Sequence, residues 1–375
     1  MCEKRILIAS LLKPINDTRL YEKLGLSLAK LAGVQVHIAA YEAPLPEAPP
    51  HNLFFHPLFR FRRLSFGRLR AQLRFFRLLL RLKPDIVIAS THELLPVSFL
   101  YTLLSKSKLE YDIQENYALN LQAQQNYPWL LKHLFAFLVR STEQLIAPAV
   151  AHFLVAEQTY LQELPFLEHR YTLIENKYKP GPNYRQPPFP VHLSKESLRL
   201  LYSGTIAEVY GIFEAIALAD QFHQVYPGTT LTIIGYCAQP ATLEKIRTLI
   251  RQKPYITLIG GNNLVPHQQI IDQIQKSDVG LLPYQPNEST FRCIPTKLYE
   301  YMAHALPMLL QHNPLWETIL AQANAGIAVD FSKPAGQAIG EILFSKSYYQ
   351  NGVPDMVYWD AEEVKLLQVM GQLLA

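Results

Sequence analysis

The chain has 375 residues, a formal net charge of +4, 49% hydrophobic and 18% charged residues. That balance excludes a disordered chain, and the length exceeds one ordinary core, so two globular domains are expected. Cys2, Cys237 and Cys293 are too scattered for a disulfide framework or a metal site.

The opening segment "KRILIASLLKP" has a short apolar core and no small-residue cleavage site before Lys13 and Pro14. It reads as a first buried strand, not a signal peptide. No apolar run approaches the roughly 20 residues of a spanning helix. A cytoplasmic protein is expected.

Further short β-type runs follow "RILIASL": "VQVHIAAY", "DIVIAS", "EYDIQE" and "HFLVAE", with helix-length stretches between them. After residue 198 the pattern restarts with "LRLLYSG", "LTIIGY", "ITLIGG", "VGLLPY", "PMLLQH" and "GIAVDF". Strands alternating with helices predict βαβ units and parallel sheets. Residues 176–197 between the two series hold Pro180, Pro182, Pro187, Pro188 and Pro190, which favour an extended linker. The expected architecture is α/β: two Rossmann-like domains, 1–178 and 198–345, facing across a cleft. A linker at 179–197 and a closing helical segment at 346–375 complete it. In such sheets ligands bind beyond the carboxyl ends of the strands.

Between Arg60 and Lys83 the chain is basic throughout and holds no acid. Arg70, Arg74, Arg77 and Arg81, spaced 4, 3 and 4, form one helical stripe among Leu, Phe and Ala. The stripe is either the exposed edge of a crossover helix or a surface for anionic lipid headgroups. Nucleic acid is not expected, because Phe75 and Phe76 read as packing residues rather than a stacking platform.

Several strand ends carry polar groups. Asp17 and Arg19 follow the first strand, His92 and Glu93 follow "DIVIAS", and Asp112, Gln114 and Glu115 lie at the end of another. In the second half, Ser203-Gly204-Thr205 leads to a helix opening near Tyr210 and Gly211, a turn able to offer backbone N–H groups to an anion. Tyr236 and Cys237 could flank a planar base. The loop 285–296 carries Glu288, Ser289 and Arg292 before Lys297, and a helix is expected from about Thr296. Lys297 and Glu300, three apart, have the spacing of an exposed salt bridge. A lysine at a helix N-terminus opposes the macrodipole, however, and a bound phosphate would account for it. Glu300 could then accept hydrogen bonds from sugar hydroxyls.

"SDVGLLPY…PTKLYEYMAHALPML" resembles the donor-binding segment of retaining family-four glycosyltransferases of the GT-B fold, roughly "aDiGllP…P.K..EYMA.G.Pv". "YSGTIAEVYGIFEAI", "NDTRLYEKLGLSLAKLAGVQVHIAAY", "YDIQENY" and "YWDAEEVKLLQVMGQLL" are similar to other segments of that family, in the expected order. The last looks like the family's closing helix, expected to return to the first domain. Three departures stand out. Tyr210 occupies the place of a lysine, Arg292 that of an upstream glutamate, and Gln114 that of a frequent histidine.

The resemblance implies transfer of a sugar from a nucleotide-sugar donor to a glycan or lipid-linked acceptor, with retention. Glu300, Lys297 and Asp112 would carry the chemistry. Gly204, Thr205, Tyr236, Ser289 and Arg292 would join Lys297 and Glu300 around the donor. Asp17, Arg19, His92, Gln114 and Glu115 would lie on the acceptor side, in the first domain. There is no clustered Asp-x-Asp and no His/Cys ligand spacing, so neither metal nor cofactor is expected. Anionic membrane contact at the inner face would fall to the arginine stripe. A non-catalytic nucleotide-sugar-binding relative, an epimerase and an inverting transferase remain alternatives.

Overall fold

A computed structural model describes residues 3–61, 65–123, 128–287, 291–333 and 335–375. The chain divides into two compact units, residues 1–179 with 359–375, and residues 180–358. Ser289 and Glu288 of the sequence reading, with Cys2, Arg62 and Arg63, lie outside the described residues.

The first unit is built on β1 (Lys4–Pro14), β2 (Val34–Tyr41), β3 (Leu53–Phe59), β4 (Ile86–Ala89), β5 (Lys108–Ile113), β6 (Val150–Val155) and β7 (Tyr171–Leu173). They pair in the order β3-β2-β1-β4-β5-β6-β7, every neighbour parallel. Residues Ile6 to Leu11 of β1 are all buried, as a central parallel strand covered on both faces requires. The connections are a helical segment Thr18–Gly25 running into α1 (Leu26–Leu28), then α2 (Gly67–Leu82), α3 (Leu95–Leu103), α4 (Tyr117–Ala123), α5 (Trp129–Ile146) and α6 (Tyr160–Glu163).

The second unit holds β8 (Leu198–Ser203), β9 (Thr229–Tyr236), β10 (Ile256–Gly261), β11 (Val279–Leu282), β12 (Met308–Gln311) and β13 (Gly326–Val329), in the order β10-β9-β8-β11-β12-β13. Its helices are α7 (Ile212–Val225), α8 (Pro240–Ile250), α9 (His267–Lys276), α10 (Thr296–Ala303), α11 (Pro314–Ala321) and α12 (Gly336–Ser345). Both sheets reverse their winding once, at the β1/β4 pair and at the β8/β11 pair. The crevice outside the strand ends at such a reversal is where open α/β sheets take ligands.

The proline-rich stretch from Pro180 belongs to the second unit, where Val191 and Tyr348 exchange backbone hydrogen bonds of 2.9 Å. The chain rejoins the first unit at Trp359 and α13 (Asp360–Leu374), so the closing helix returns to the first domain as expected. Leu366 and Met370 of α13 share a core with Leu20 and Leu24. The Trp359 indole donates to Ser27 Oγ at 2.9 Å, and Lys177 forms a buried 2.8 Å ion pair with Glu362.

Candidate functional site

In the second unit, α10 opens at Thr296 just behind Pro295. Leu298, Tyr301 and Met302 are buried without exposure and anchor the helix to the core. Lys297 and Glu300 are thereby held on its remaining side. They do not pair as a surface salt bridge would. The Lys297 ammonium donates to the carbonyl of Ser203, at the end of β8, and lies 5.1 and 5.3 Å from the ring centroids of Tyr202 and Tyr284. The residue keeps some surface, yet its ammonium is enclosed, and burial pulls its pKa down to about 8 against the opposing pull of Glu300. Tyr301 ties the same strand end from beneath, its hydroxyl 2.8 Å from Ser203 Oγ.

Gly204 makes this approach possible. Its φ is +91°, and a Cβ there would lie 3.3 Å from Lys297 Nζ. The Gly204 N–H donates to Ile234 O at 2.9 Å and so belongs to the sheet. What the position contributes is room for the lysine, and the anion-binding amide expected there from the sequence is already committed. Thr205 beside it is exposed, and the Ile206 N–H donates to Tyr236 O at 2.9 Å, which sets the half-exposed Tyr236 next to this turn. Tyr210 lies 5.0 Å ring to ring from Tyr284. Arg292 is exposed on the loop leading to α10.

Glu300 is met by a residue that sequence reasoning missed. Nε2 of His267, the first residue of α9, lies 2.9 Å from Glu300 Oε1. His304, one turn beyond Glu300, is mostly buried, and burial lowers its pKa to about 4.

In the first unit, Asp17 caps the helix that follows β1, its Oδ1 accepting from the N–H groups of Arg19 and Leu20 at 2.9 and 3.1 Å. Arg19 and Asp112 form a buried ion pair with an N–O distance of 2.6 Å. Arg19 also donates to Ile174 O at 2.9 Å and Asn176 Oδ1 at 3.1 Å, while Asp112 accepts from Ser90 Oγ at 3.1 Å and Gln114 Nε2 at 2.8 Å. Asp112 has no exposed surface, so it acts on its surroundings by holding Gln114 and Arg19 in place. Glu115 stays accessible and lies 3.6 Å from Lys13, whose pKa rises above the ordinary lysine value because Asp17 and Glu115 outweigh its burial. The His92 ring lies 4.7 Å from that of Tyr117, and burial, with Arg68 nearby, lowers its pKa to about 4.

The structure therefore gathers Gly204, Thr205, Tyr236, Lys297 and Glu300 at one switch point, and Asp17, Arg19, Asp112, Gln114 and Glu115 at the other. Lys13, Ser90, Tyr202, Tyr284 and His267 were missed. Four of these end or follow a strand run, and His267 follows a helix-opening proline, so position in the motif was the available signal. Among the described residues no cluster of three or more His, Cys, Asp or Glu could hold a metal ion.

No protein-family model and no curated protein matches the chain. Solved structures do, along nearly its whole length. A sucrose-phosphate synthase from Thermosynechococcus elongatus superposes with a TM-score of 0.70 at 15% identity, covering 99% of each chain. HepE of Anabaena, solved with UDP and glucose, gives 0.65 at 11% identity over 99% of each chain. WaaG, a glycosyltransferase involved in lipopolysaccharide biosynthesis, gives 0.62 at 14% identity over 97% of this chain and 95% of its own. A structure described as a "putative UDP-N-acetylglucosamine 2-epimerase from Listeria monocytogenes" also matches, with a TM-score of 0.60 at 11% identity. The chain has the GT-B fold: two Rossmann-like units, each with its own parallel sheet.

Proposed function

We infer that the protein is a glycosyltransferase that moves a sugar from a nucleotide-sugar donor to a glycan or lipid-linked acceptor, with retention. One observation carries the reading. A lysine that opposes its helix dipole, is enclosed by two tyrosines and touches the end of β8 at a topological switch point is arranged to receive an anion. A donor diphosphate there would gain the ammonium's charge, and Arg292 on the preceding loop would add a second. Glu300, oriented by His267, would accept from donor hydroxyls.

In a retaining transfer the acceptor oxygen bonds to the anomeric carbon on the face from which the diphosphate leaves. The departing phosphate oxygen takes the acceptor proton, so no enzymic base is required. The role of Lys297 and Arg292 is to stabilise the charge that grows on the leaving group. No metal is invoked, since those cations would supply that stabilisation. Gln114, Glu115 and Lys13 would hold the acceptor, with Asp17, Arg19, Asp112 and His92 fixing their setting. HepE was solved with UDP and glucose, which makes UDP-sugars the first donors to try. The acceptor would belong to cell-surface polysaccharide or glycolipid synthesis at the inner membrane face, approached through Arg70, Arg74, Arg77 and Arg81, all exposed on α2.

The second reading, a nucleotide-sugar binder without transfer activity, has its own support. Tyr210 leaves the turn before α7 without a cation, and the Gly204 amide is spent on the sheet. Donor consumption in the presence of chelator separates the two readings, and the anomeric configuration of the product separates retention from inversion or epimerisation.

A further inference from the structure

α5 is apolar on two sides, and only one of them is covered. Ala136, Val139 and Ile146 face inward, the first two packing against Ala118 of α4. The opposite side carries Leu130, Leu134, Phe137, Leu138 and Leu145, one helical stripe by spacing. Leu130 is 73% exposed, Phe137 66% and Leu145 81%. Trp129 in the first turn is 66% exposed. From Trp129 to Leu145 the exposed positions include only two polar residues, His133 and Gln144. A helix of a water-soluble unit normally turns charge outward there.

The surface continues beyond α5. The connections from β3 to β4, β4 to β5 and β5 to β6 all cross the sheet in one direction, so right-handed crossovers place α2, α3 and α5 on one face. α3 packs against both of the others. It adds exposed Leu100 and Leu103, with Leu104 just past its end, and α2 adds Leu69, Leu73 and Leu80. Interleaved with the α2 leucines are Arg70, Arg74, Arg77 and Arg81. Apolar side chains edged by a row of arginine match the layering of an anionic bilayer, with acyl chains beneath phosphate. A two-fold contact with a second copy would instead bring two arginine rows into one interface. Among the described residues no helix is long and apolar enough to cross a membrane, so the surface would lie on the bilayer.

We propose that the α2–α3–α5 face is a membrane-docking surface, with Trp129, Phe137 and the α5 leucines entering the interfacial layer while the α2 arginines hold lipid phosphates. This deepens the inner-membrane reading above and rests on it in choosing a bilayer as the partner. The face adjoins the acceptor-side strand ends, because Arg68 in the first turn of α2 pairs with Glu93 at 3.2 Å, beside His92. Docking would thus bring a lipid-linked acceptor to Gln114 and Glu115.

The protein carries its own probe. Trp316 and Trp359 are fully buried, so a change in tryptophan emission on adding vesicles reports Trp129. The experiment mixes the full chain with vesicles of phosphatidylglycerol and phosphatidylcholine, or of phosphatidylcholine alone, and follows flotation, emission and quenching by acyl-chain-brominated lipid. The expected result is flotation with the anionic vesicles, a blue shift and quenching. The Trp129→Phe variant should float but lose the optical change. Changing all four α2 arginines to Gln should weaken vesicle affinity by up to about 1000-fold. The Leu134→Ser, Phe137→Ser double variant should lose binding that survives high salt, with donor consumption in vesicle-free buffer unchanged. Flotation with unmoved, unquenched emission would overturn insertion while leaving an electrostatic contact. A blue shift that grows with protein concentration in the absence of lipid would overturn it too, showing that a second copy covers the face. Donor consumption without vesicles tests the glycosyltransferase reading separately.

Discussion

The Lys297 ammonium is bonded to the backbone carbonyl of Ser203, a neutral acceptor, and the pull of Glu300 offsets only part of the cost of burying its charge. With Tyr202 and Tyr284 beside it, the ammonium is costly to keep protonated, and its pKa falls to about 8. A depressed lysine pKa means that the unfolded chain binds the extra proton more readily, so stability should rise as pH climbs from about 8 towards the ordinary lysine value. An anion reverses the balance by favouring the ammonium. Nucleotide-diphosphate affinity should therefore fall as pH rises through about 8, and Lys297→Arg should flatten that fall. Calorimetric titration of UDP across this range is the check, and an unchanged wild-type affinity on the alkaline side would contradict it.

Glu300→Gln should lower turnover far more than it lowers Tm. The volume is kept and one hydrogen bond to His267 can survive, while the charge proposed to receive donor hydroxyls is lost. His267→Ala should raise KM for the donor with a smaller effect on kcat, because it frees the carboxylate from its fixed orientation without removing it. Equal losses of Tm and activity in Glu300→Gln would make the carboxylate structural.

Breaking the buried Arg19–Asp112 pair should be severe. Arg19→Ala leaves an uncompensated carboxylate with no exposed surface, a loss on the order of 3–5 kcal/mol. Adding Asp112→Asn should recover part of it. Urea melts of the two single variants and the double variant measure the coupling, and simple additivity would show that the two residues act independently.

Most of this architecture is legible in the sequence, and the failures have physical causes. All six strands of the second unit stand out as β-branched or leucine-rich runs; the four inner ones do so because a central parallel strand is buried on both faces, and the edges β10 and β13 keep the pattern although they are only partly buried. The two unread strands are the edges of the first sheet. β3 contains Pro57, tolerated because an edge strand has an unpaired side, and β7 is only Tyr171–Leu173. At the site, Lys297 and Glu300 were visible through their position at a helix start. His267 was not, since it comes from a helix 33 residues away in sequence and meets Glu300 only in the folded unit. The tight pairing of Arg19 with Asp112 was hidden for the same reason, at a separation of 93 residues.

Glu110, in the middle of β5, offers a pH test independent of the site. It has no exposed surface, and neither side-chain oxygen has a hydrogen-bond partner among the described residues. Burial, with Asp112 nearby, holds its carboxyl well above the usual range. A raised folded-state pKa gives a contribution that is complete below the unfolded value of about 4.3 and is lost as pH rises towards the folded value. Glu110→Gln should remove that loss, making the variant more stable relative to wild type at pH 8 than at pH 5. Denaturant midpoints at the two pH values decide it, and an equal difference at both would refute the assignment.

The central claim, that the second unit takes a nucleotide-diphosphate sugar at Lys297 and Glu300, is tested most directly by thermal shift and calorimetry with UDP-, GDP- and ADP-sugars. One class should stabilise the protein by about 2.7 kcal/mol at 100 times its dissociation constant. Lys297→Ala should weaken that ligand by roughly 1.5–3 kcal/mol, the scale of a charge-assisted hydrogen bond. Binding of no nucleotide sugar, or equal binding by wild type and Lys297→Ala, would contradict the account.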